Sequence, residues 1–173
     1  MKIPLRPKFL KRFRRQWLYL IIHDVSCGFG QLSEFNIDTP KSQINRLRAT
    51  DLQINKHVDI NFNFMIERIG DDFEVILGRP ISAMCQYPDI PQNINEVSLH
   101  VGIMGNFKFY LPENRFYRIL AYRCLTPLIQ MTRINRTRIL THSEVSEENI
   151  QCPGVLFEKH RLMSIINDLI VNS

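Results

Sequence analysis

The stretch from Thr141 to Gly154 reads T-H-S-E-V-S-E-E-N-I-Q-C-P-G and carries one histidine and one cysteine about ten residues apart. Neutral imidazole and thiolate are both good zinc ligands, and a loop of this length can bring His142 and Cys152 to one ion. The spacing matches no standard zinc finger or ribbon, so a His and a Cys that pack together without metal remain the alternative. A tightly bound zinc needs at least a third ligand, which must come from another segment.

A candidate third ligand follows the apolar run from Leu18 to Ile22, which ends at His23-Asp24. A continuous run of branched apolar residues predicts a buried central strand. Such a strand would carry His23 to the carboxyl edge of the sheet, where ligands and catalytic groups collect in open α/β sheets.

The remaining strands are indicated by β-prone residues between turn signals. Gly70-Asp71-Asp72 separates two such runs and predicts a hairpin, and the proline-containing residues 81–96 predict a loop. The later predicted strands are Phe62 to Arg68, Phe73 to Leu77, Val97 to Met104 and Arg138 to Leu140.

Three stretches have a helical pattern. Thr39-Pro40 is typical of an N-cap followed by proline at the first helical position, and Pro127 should kink the middle helix because it lacks an N–H. Together with the strands, these helices predict an α/β fold with a mixed central sheet flanked by helices. The predicted helices run from Thr39-Pro40 through Ile44, Leu47, Arg48 and Asp51, from Asn114 to Ile134, and from about Leu156 to Val171.

The composition indicates one globular domain preceded by a basic arm. The chain has 173 residues, 45% of them apolar, which is enough for a core without disulfides, and its four cysteines have irregular spacing, so we expect reduced thiols. We divide it into an arm over residues 1–16 and a domain over residues 17–173. The run from Trp17 to Ile22 is too short for a membrane span, and no cleavage site follows it, so neither a signal peptide nor an anchor is expected.

The arm concentrates the positive charge of the chain, whose formal net charge is +5. Such an arm can meet an anionic cell-wall polymer, a lipid surface, a nucleic acid or an acidic protein, and a solvated, partly disordered tail is the alternative. It has no recognisable reading motif, so any nucleic-acid binding should be nonspecific and strongly salt-dependent. Its basic residues are Lys2, Arg6, Lys8, Lys11, Arg12, Arg14 and Arg15.

Four segments now stand in order: I-I-H-D; F-N-F-M-I-E-R followed by G-R-P; N-E-V-S-L-H-V-G-I-M-G-N-F; and T-H-S-E-V followed by Q-C-P-G. Together they resemble the type 2 N-acetylmuramoyl-L-alanine amidases, whose fold is shared by bacteriophage lysozyme-like amidases and peptidoglycan-recognition proteins. The resemblance covers about Leu18 to Leu169. It implies that His23, His142 and Cys152 hold a zinc ion, and that the substrate is the amide between the lactyl group of muramic acid and L-alanine in peptidoglycan.

The same resemblance implies catalytic groups beside the metal, and here the sequence departs from the family. Where many members carry a Tyr-His pair, this chain has Phe62 and Asn63, and where they carry a Lys or Thr it has Ile150. Loss of one preorganised donor typically lowers the rate about a hundred- to a thousand-fold. We take Glu144 as the nearest carboxylate for proton transfer, with an exposed loop carboxylate or a hydrogen-bond partner of a ligand as the alternative. The candidates to replace the missing donors are Asn63, Glu144 and Asp24.

The residues left over receive structural interpretations. His100 falls in a predicted strand and reads as a core or sheet-face histidine, and the loop from Ser82 to Asn95 lacks the histidine that often lines the family's substrate groove. Cys27 is close enough to His23 in sequence to be examined as a neighbour of the metal.

Two main functions follow. The first is a zinc-dependent peptidoglycan amidase, phage-encoded and present in the host cytoplasm or in the virion. The second, motivated by Phe62, Ile150 and the basic arm, is a weak or inactive amidase-fold module that binds peptidoglycan or forms part of a virion tail or neck. Nucleic-acid binding through the arm is the third and least supported hypothesis.

Overall fold

The structure, a computed structural model, describes residues 16–25, 44–53, 59–105 and 107–171. Its centre is a five-stranded mixed sheet with the order β3-β2-β4-β1-β5. Among the strand pairs of the described residues, the β2–β3 pair, which forms the predicted hairpin, is antiparallel and the other three are parallel. The strands are β1 (Tyr19–Asp24), β2 (Phe64–Ile69), β3 (Asp72–Leu77), β4 (Ser98–Ile103) and β5 (Ile139–Thr141).

The two faces of the sheet have different coverings. Because side chains alternate along a strand, Leu20 and Leu99 enter one apolar cluster, whereas Ile21 enters another. The first cluster lies under the C-terminal helices, and the second lies under α1 and the loop that follows β3. The helices are α1 (Ile44–Gln53), α2 (Gln92–Asn95), α3 (Asn114–Ile119), α4 (Thr126–Thr132) and α5 (Lys159–Val171).

The middle helical stretch is continuous but changes its winding. A π-helical segment, Leu120–Leu125, joins α3 to α4, and it lies directly before Pro127. Proline lacks an N–H and its ring clashes with the preceding turn, so a widened turn accommodates it. The predicted irregularity at Pro127 is therefore present as a π segment.

Several predicted boundaries are shifted. The predicted loop over residues 81–96 contains the single-turn α2, because the carbonyl of Pro91 accepts hydrogen bonds from the N–H groups of Ile94 and Asn95. Arg138 belongs to a 3-10 turn before β5, and the last helix begins at Lys159, three residues later than predicted.

Some predictions lie outside the described residues. These are the basic arm up to residue 15, the loop that contains Cys27, and the N-cap at Thr39-Pro40. Trp17, where the predicted domain begins, is buried in the helix-covered core. Within the described ranges, no helix has the length and apolar character needed to cross a membrane.

Candidate metal centre

Two of the predicted ligands lie at the carboxyl ends of neighbouring parallel strands. Ile22 of β1 is the register partner of Thr141 of β5; His23 follows Ile22 within β1, and His142 is the first residue after β5. Parallel strands end at the same edge of a sheet, so the pairing places the two imidazoles side by side. Their ring centroids are 4.4 Å apart.

The third predicted ligand, Cys152, is held by backbone groups next to each histidine. The N–H of Asp24 donates to the Sγ of Cys152 at 3.3 Å, and the N–H of Ser143 donates to its carbonyl oxygen at 3.0 Å. A peptide N–H directed at sulfur favours the thiolate, which is the form that binds metal. The loop therefore brings Cys152 to the two histidines by direct hydrogen bonds.

The glycine after Cys152-Pro153 explains why this loop fits. Gly154 has a φ of +131°, and a Cβ at this position would lie 2.5 Å from the backbone carbon of Phe107. The N–H of Leu156 then donates to the carbonyl oxygen of Phe107 at 2.9 Å. Gly154 of the Q-C-P-G segment thus lies directly against the backbone of Phe107, and only glycine fits there.

The three side chains form a compact, buried cluster. One ligand atom from each of His23, His142 and Cys152 lies within 4.8 Å of the other two, and all three residues are at most 3% exposed. The Nδ1 atoms of both histidines are buried and have no hydrogen-bond partner among the described residues. Two imidazole nitrogens and a thiolate suit zinc, and unpartnered buried nitrogens are unfavourable unless something binds them. The residues fit a metal ion better than they fit a packed pair.

The histidines are held neutral. Burial lowers the pKa of His23 well below its usual value, with additional lowering by His100 and His142. Burial also lowers the pKa of His142, although the Asp89 carboxylate opposes this shift, and it lowers the pKa of His100 to about 3. A neutral imidazole keeps the lone pair that a metal requires, so the environment of the cluster favours metal binding at neutral pH.

Each of the two predicted histidine ligands has a polar partner at its Nε2 atom. His23 Nε2 lies 2.8 Å from His100 Nδ1, and His142 Nε2 lies 2.8 Å from the Oδ2 of Asp89, although this second N–H does not point straight at the oxygen. The sequence predicts His100 as a core or sheet-face residue and gives no signal for Asp89. His100 is indeed fully buried in β4, but it contacts a predicted ligand.

The aromatic ring of Tyr87 covers His23 and His100. Tyr87 stacks on His23 at a centroid distance of 4.2 Å and on His100 at 4.8 Å, while its hydroxyl donates to the carbonyl of Asn61. Tyr87 also lines a cleft of about 600 Å³ formed with Gln86, Gln92 and Glu96 among others, but none of the predicted ligands lines it. The cleft therefore adjoins the ligand cluster without containing it.

Asn63, one of the two predicted catalytic residues, is fully buried, and its side chain makes four hydrogen bonds to other described residues. Its Oδ1 accepts from the backbone N–H of His100 at 2.9 Å and from the thiol of Cys85 at 3.4 Å. Its Nδ2 donates to the carbonyl oxygens of Pro80 and Ala83. These bonds connect the residue before β2 to β4 and to the loop after β3, so the side chain of Asn63 holds these elements together.

Glu144, the other predicted catalytic residue, belongs to a capping box. Its carboxylate accepts from the backbone N–H and hydroxyl of Thr141 and from the ammonium group of Lys159 at 2.7 Å. These groups lower the pKa of Glu144 against the opposing effect of its partial burial. The bonds fix the turn that carries His142, and a role of Glu144 in proton transfer stays a prediction.

The two departures from the family pattern have different settings. Phe62 is buried, and its ring meets that of His23 edge-on at a centroid distance of 5.8 Å. Ile150 lies partly exposed in the loop before Cys152. An apolar ring therefore contacts a predicted ligand where the resemblance implied a tyrosine.

The chain has the fold shared by N-acetylmuramoyl-L-alanine amidases and peptidoglycan-recognition proteins, as the sequence resemblance predicted. No family model matches the sequence, and no curated protein does. Among solved structures, it is similar to a selenomethionine derivative of AmpD, with 18% identity, a TM-score of 0.65, and 88% of this chain and 86% of the other covered.

Two further solved structures have the same fold. The endolysin N-acetylmuramoyl-L-alanine amidase LysCS from Clostridium intestinale is 16% identical, with a TM-score of 0.59 and coverage of 90% of this chain and 86% of the other. A variant of Drosophila peptidoglycan recognition protein LB in complex with tracheal cytotoxin is 20% identical, with a TM-score of 0.64 and coverage of 86% and 81%. The likeness extends over nearly the whole of each chain.

Proposed function

We propose that this protein is a zinc-dependent N-acetylmuramoyl-L-alanine amidase that hydrolyses the lactyl–L-alanine amide of peptidoglycan. The observation that carries the proposal is the convergence of His23, His142 and Cys152 within 4.8 Å, in a fold that LysCS shares. The binding of tracheal cytotoxin by a protein of this fold supports the same substrate class.

The protein's own residues would prepare the site in three ways. His23 and His142 would bind zinc through neutral imidazole, and Cys152 through a thiolate that the N–H of Asp24 stabilises. The chemistry that zinc supplies when bound is activation of water and polarisation of a carbonyl. Three protein ligands leave a fourth position for that chemistry, which distinguishes such a site from a closed structural one.

The proton-transfer group is the least supported part of this proposal. Glu144 lies two residues after His142, but its carboxylate already accepts hydrogen bonds from Lys159 and Thr141. Asn63 would act by holding His100 and the adjoining loop in place, since its hydrogen bonds are made to those groups. With Phe62 and Ile150 in place of donors, we expect slow turnover, because each missing donor typically lowers the rate about a hundred- to a thousand-fold.

The decisive experiment is mass spectrometry of soluble products from purified peptidoglycan. Zinc-loaded wild-type protein should release free stem peptides, whereas His142→Ala should release none. His160→Ala is the matched control, because His160 is exposed on α5 and should keep full activity. A Phe62→Tyr variant, which restores a hydroxyl beside His23, should release stem peptides faster.

The same experiment separates the enzyme from a binding module. If no products form although zinc is bound stoichiometrically, the protein has kept the metal without the reaction, and cosedimentation with peptidoglycan becomes the relevant assay. Products from His142→Ala at the wild-type rate would show that the cluster is not the reaction centre.

The proposal includes a phage origin for the protein. It also includes binding of the basic arm to an anionic wall polymer or to a virion partner. The arm lies outside the described residues, so only its charge supports a partner. Removal of residues 1–15 should weaken binding to anionic wall polymer, and the loss should be largest at low salt because exposed charges are screened as salt rises.

A further inference from the structure

Resting on the proposed zinc site, we propose that Asp89 and His100 are positioning residues that fix the tautomers of the two histidine ligands. Each lies 2.8 Å from the Nε2 atom of one ligand. Each ligand's Nδ1 is buried without a hydrogen-bond partner among the described residues. A proton held at Nε2 leaves the lone pair of a neutral imidazole at Nδ1, the nitrogen that no described residue occupies, so that Nδ1 can bind the metal.

Asp89 is itself held where it can do this. Its Oδ2 accepts from the hydroxyl of Ser146 at 2.7 Å, and its carbonyl oxygen accepts from the N–H of Glu147 at 2.7 Å. The N–H of Ser146 donates in turn to the carbonyl oxygen of His142. The carboxylate is thereby attached to the turn that carries the ligand, and it favours an N–H at Nε2 because a lone pair there would face a negative oxygen.

His100 is held just as closely on the other side of the cluster. Its backbone N–H donates to the Oδ1 of Asn63, and its ring lies under Tyr87. A neutral histidine has one donor and one acceptor nitrogen, so when Nδ1 of His100 accepts from His23, its proton lies on Nε2. The side-chain amide of Asn63 thus fixes the position of His100, and the imidazole of His100 in turn fixes the tautomer of His23.

The first test measures zinc affinity by competition with a chromophoric chelator. Asp89→Ala and His100→Phe should each weaken zinc binding about 10- to 100-fold, the usual effect of losing such a partner. Asp89→Asn and His100→Gln, which keep an acceptor oxygen, should recover part of the loss. Glu96→Gln is the matched control, since this residue follows α2 on the same loop and makes its observed side-chain hydrogen bond to Gln92.

The second test reads the tautomers directly from long-range ¹⁵N–¹H spectra of the full-length protein, with and without zinc. Wild-type His23 and His142 should both carry the proton on Nε2, already without metal. In Asp89→Ala, His142 should show mixed tautomers while His23 is unchanged, and in His100→Phe the reverse should hold. Circular dichroism checks that each variant is folded.

The outcomes separate this inference from the proposed function. If the wild type binds no zinc, the zinc proposal fails, and the metal-free spectra still decide the tautomer assignment: protons on Nε2 support it and mixed tautomers overturn it. If the wild type binds zinc and the folded variants keep its affinity and spectra, the positioning role is overturned while the zinc site stands.

Discussion

The two faces of β1 and β4 are built from alternate residues of the same strands, yet they differ in chemistry. On the helix-covered face, Leu20 and Leu99 pack among apolar side chains. On the opposite face, His23 and His100 contact each other through their ring nitrogens. The helix-covered face of these strands is apolar, whereas the opposite face carries the predicted metal ligands beside a second apolar cluster. We therefore expect substitutions on the helix-covered face to change mainly stability, and substitutions of the polar residues on the opposite face to change mainly the proposed zinc binding.

The largest expected difference between the faces concerns two buried cysteines. Cys152→Ala should abolish retention of zinc after dialysis, because two histidines alone do not hold the ion tightly. Cys124→Ala should keep stoichiometric zinc, since this thiol lies in the apolar cluster, where burial raises its pKa to about 12. Metal analysis of the two dialysed variants checks the prediction, and loss of zinc from Cys124→Ala would contradict it.

A second comparison uses neighbours in β4 whose side chains point to opposite faces. Leu99→Ala should lower the free energy of unfolding by about 2–5 kcal/mol, because it leaves a cavity in a fully buried site. Its zinc affinity in the folded state should stay near that of the wild type, in contrast to His100→Phe. Urea unfolding without metal gives the first quantity, because bound zinc would add its own stabilisation.

A smaller effect on stability is expected at Gly102, where the face of the sheet that carries the predicted site has no space for a side chain. A Cβ at Gly102, the register partner of His23, would lie 2.9 Å from the ring of Phe62. Gly102→Ala should therefore destabilise the fold by about 1–3 kcal/mol through overpacking. Adding Phe62→Leu should remove part of this loss, and additive effects in the double-mutant cycle would show that the two residues do not compete for space.

The smallest effect is expected at the far end of the sheet, on the exposed hairpin. The N–H of Phe73, together with Arg115 and Arg123, lowers the pKa of Asp72. Its carboxylate therefore stabilises the fold above about pH 3.9, the pKa of an unperturbed Asp, and this contribution disappears as the pH falls through the lower folded pKa. The melting temperature of Asp72→Asn should lie slightly below that of the wild type at pH 7, with a smaller gap at pH 3.

The elements that could be predicted from the sequence are those that short sequence patterns determine. The apolar run before His23 identifies a strand, and the turn at Gly70 identifies a hairpin. The resemblance drawn from the order of four sequence segments is confirmed for the fold. Asp89 and His100 could not be assigned this way, because their roles arise only when parallel register and a folded loop bring them to the ligands. For His100, the one signal in the sequence was a histidine within a strand predicted to be buried.

The attachment of the Cys152 loop to the segment after β4 also has a consequence for folding kinetics. Gly154 and Leu156 contact the backbone of Phe107, four residues beyond β4, so the loop reaches its place only when this segment is in position. β4 in turn depends on parallel pairing with β1 and β2, and contacts between residues distant in sequence form slowly. We therefore expect the capacity to capture zinc to appear in the last phase of refolding, as a signal that the whole sheet is complete.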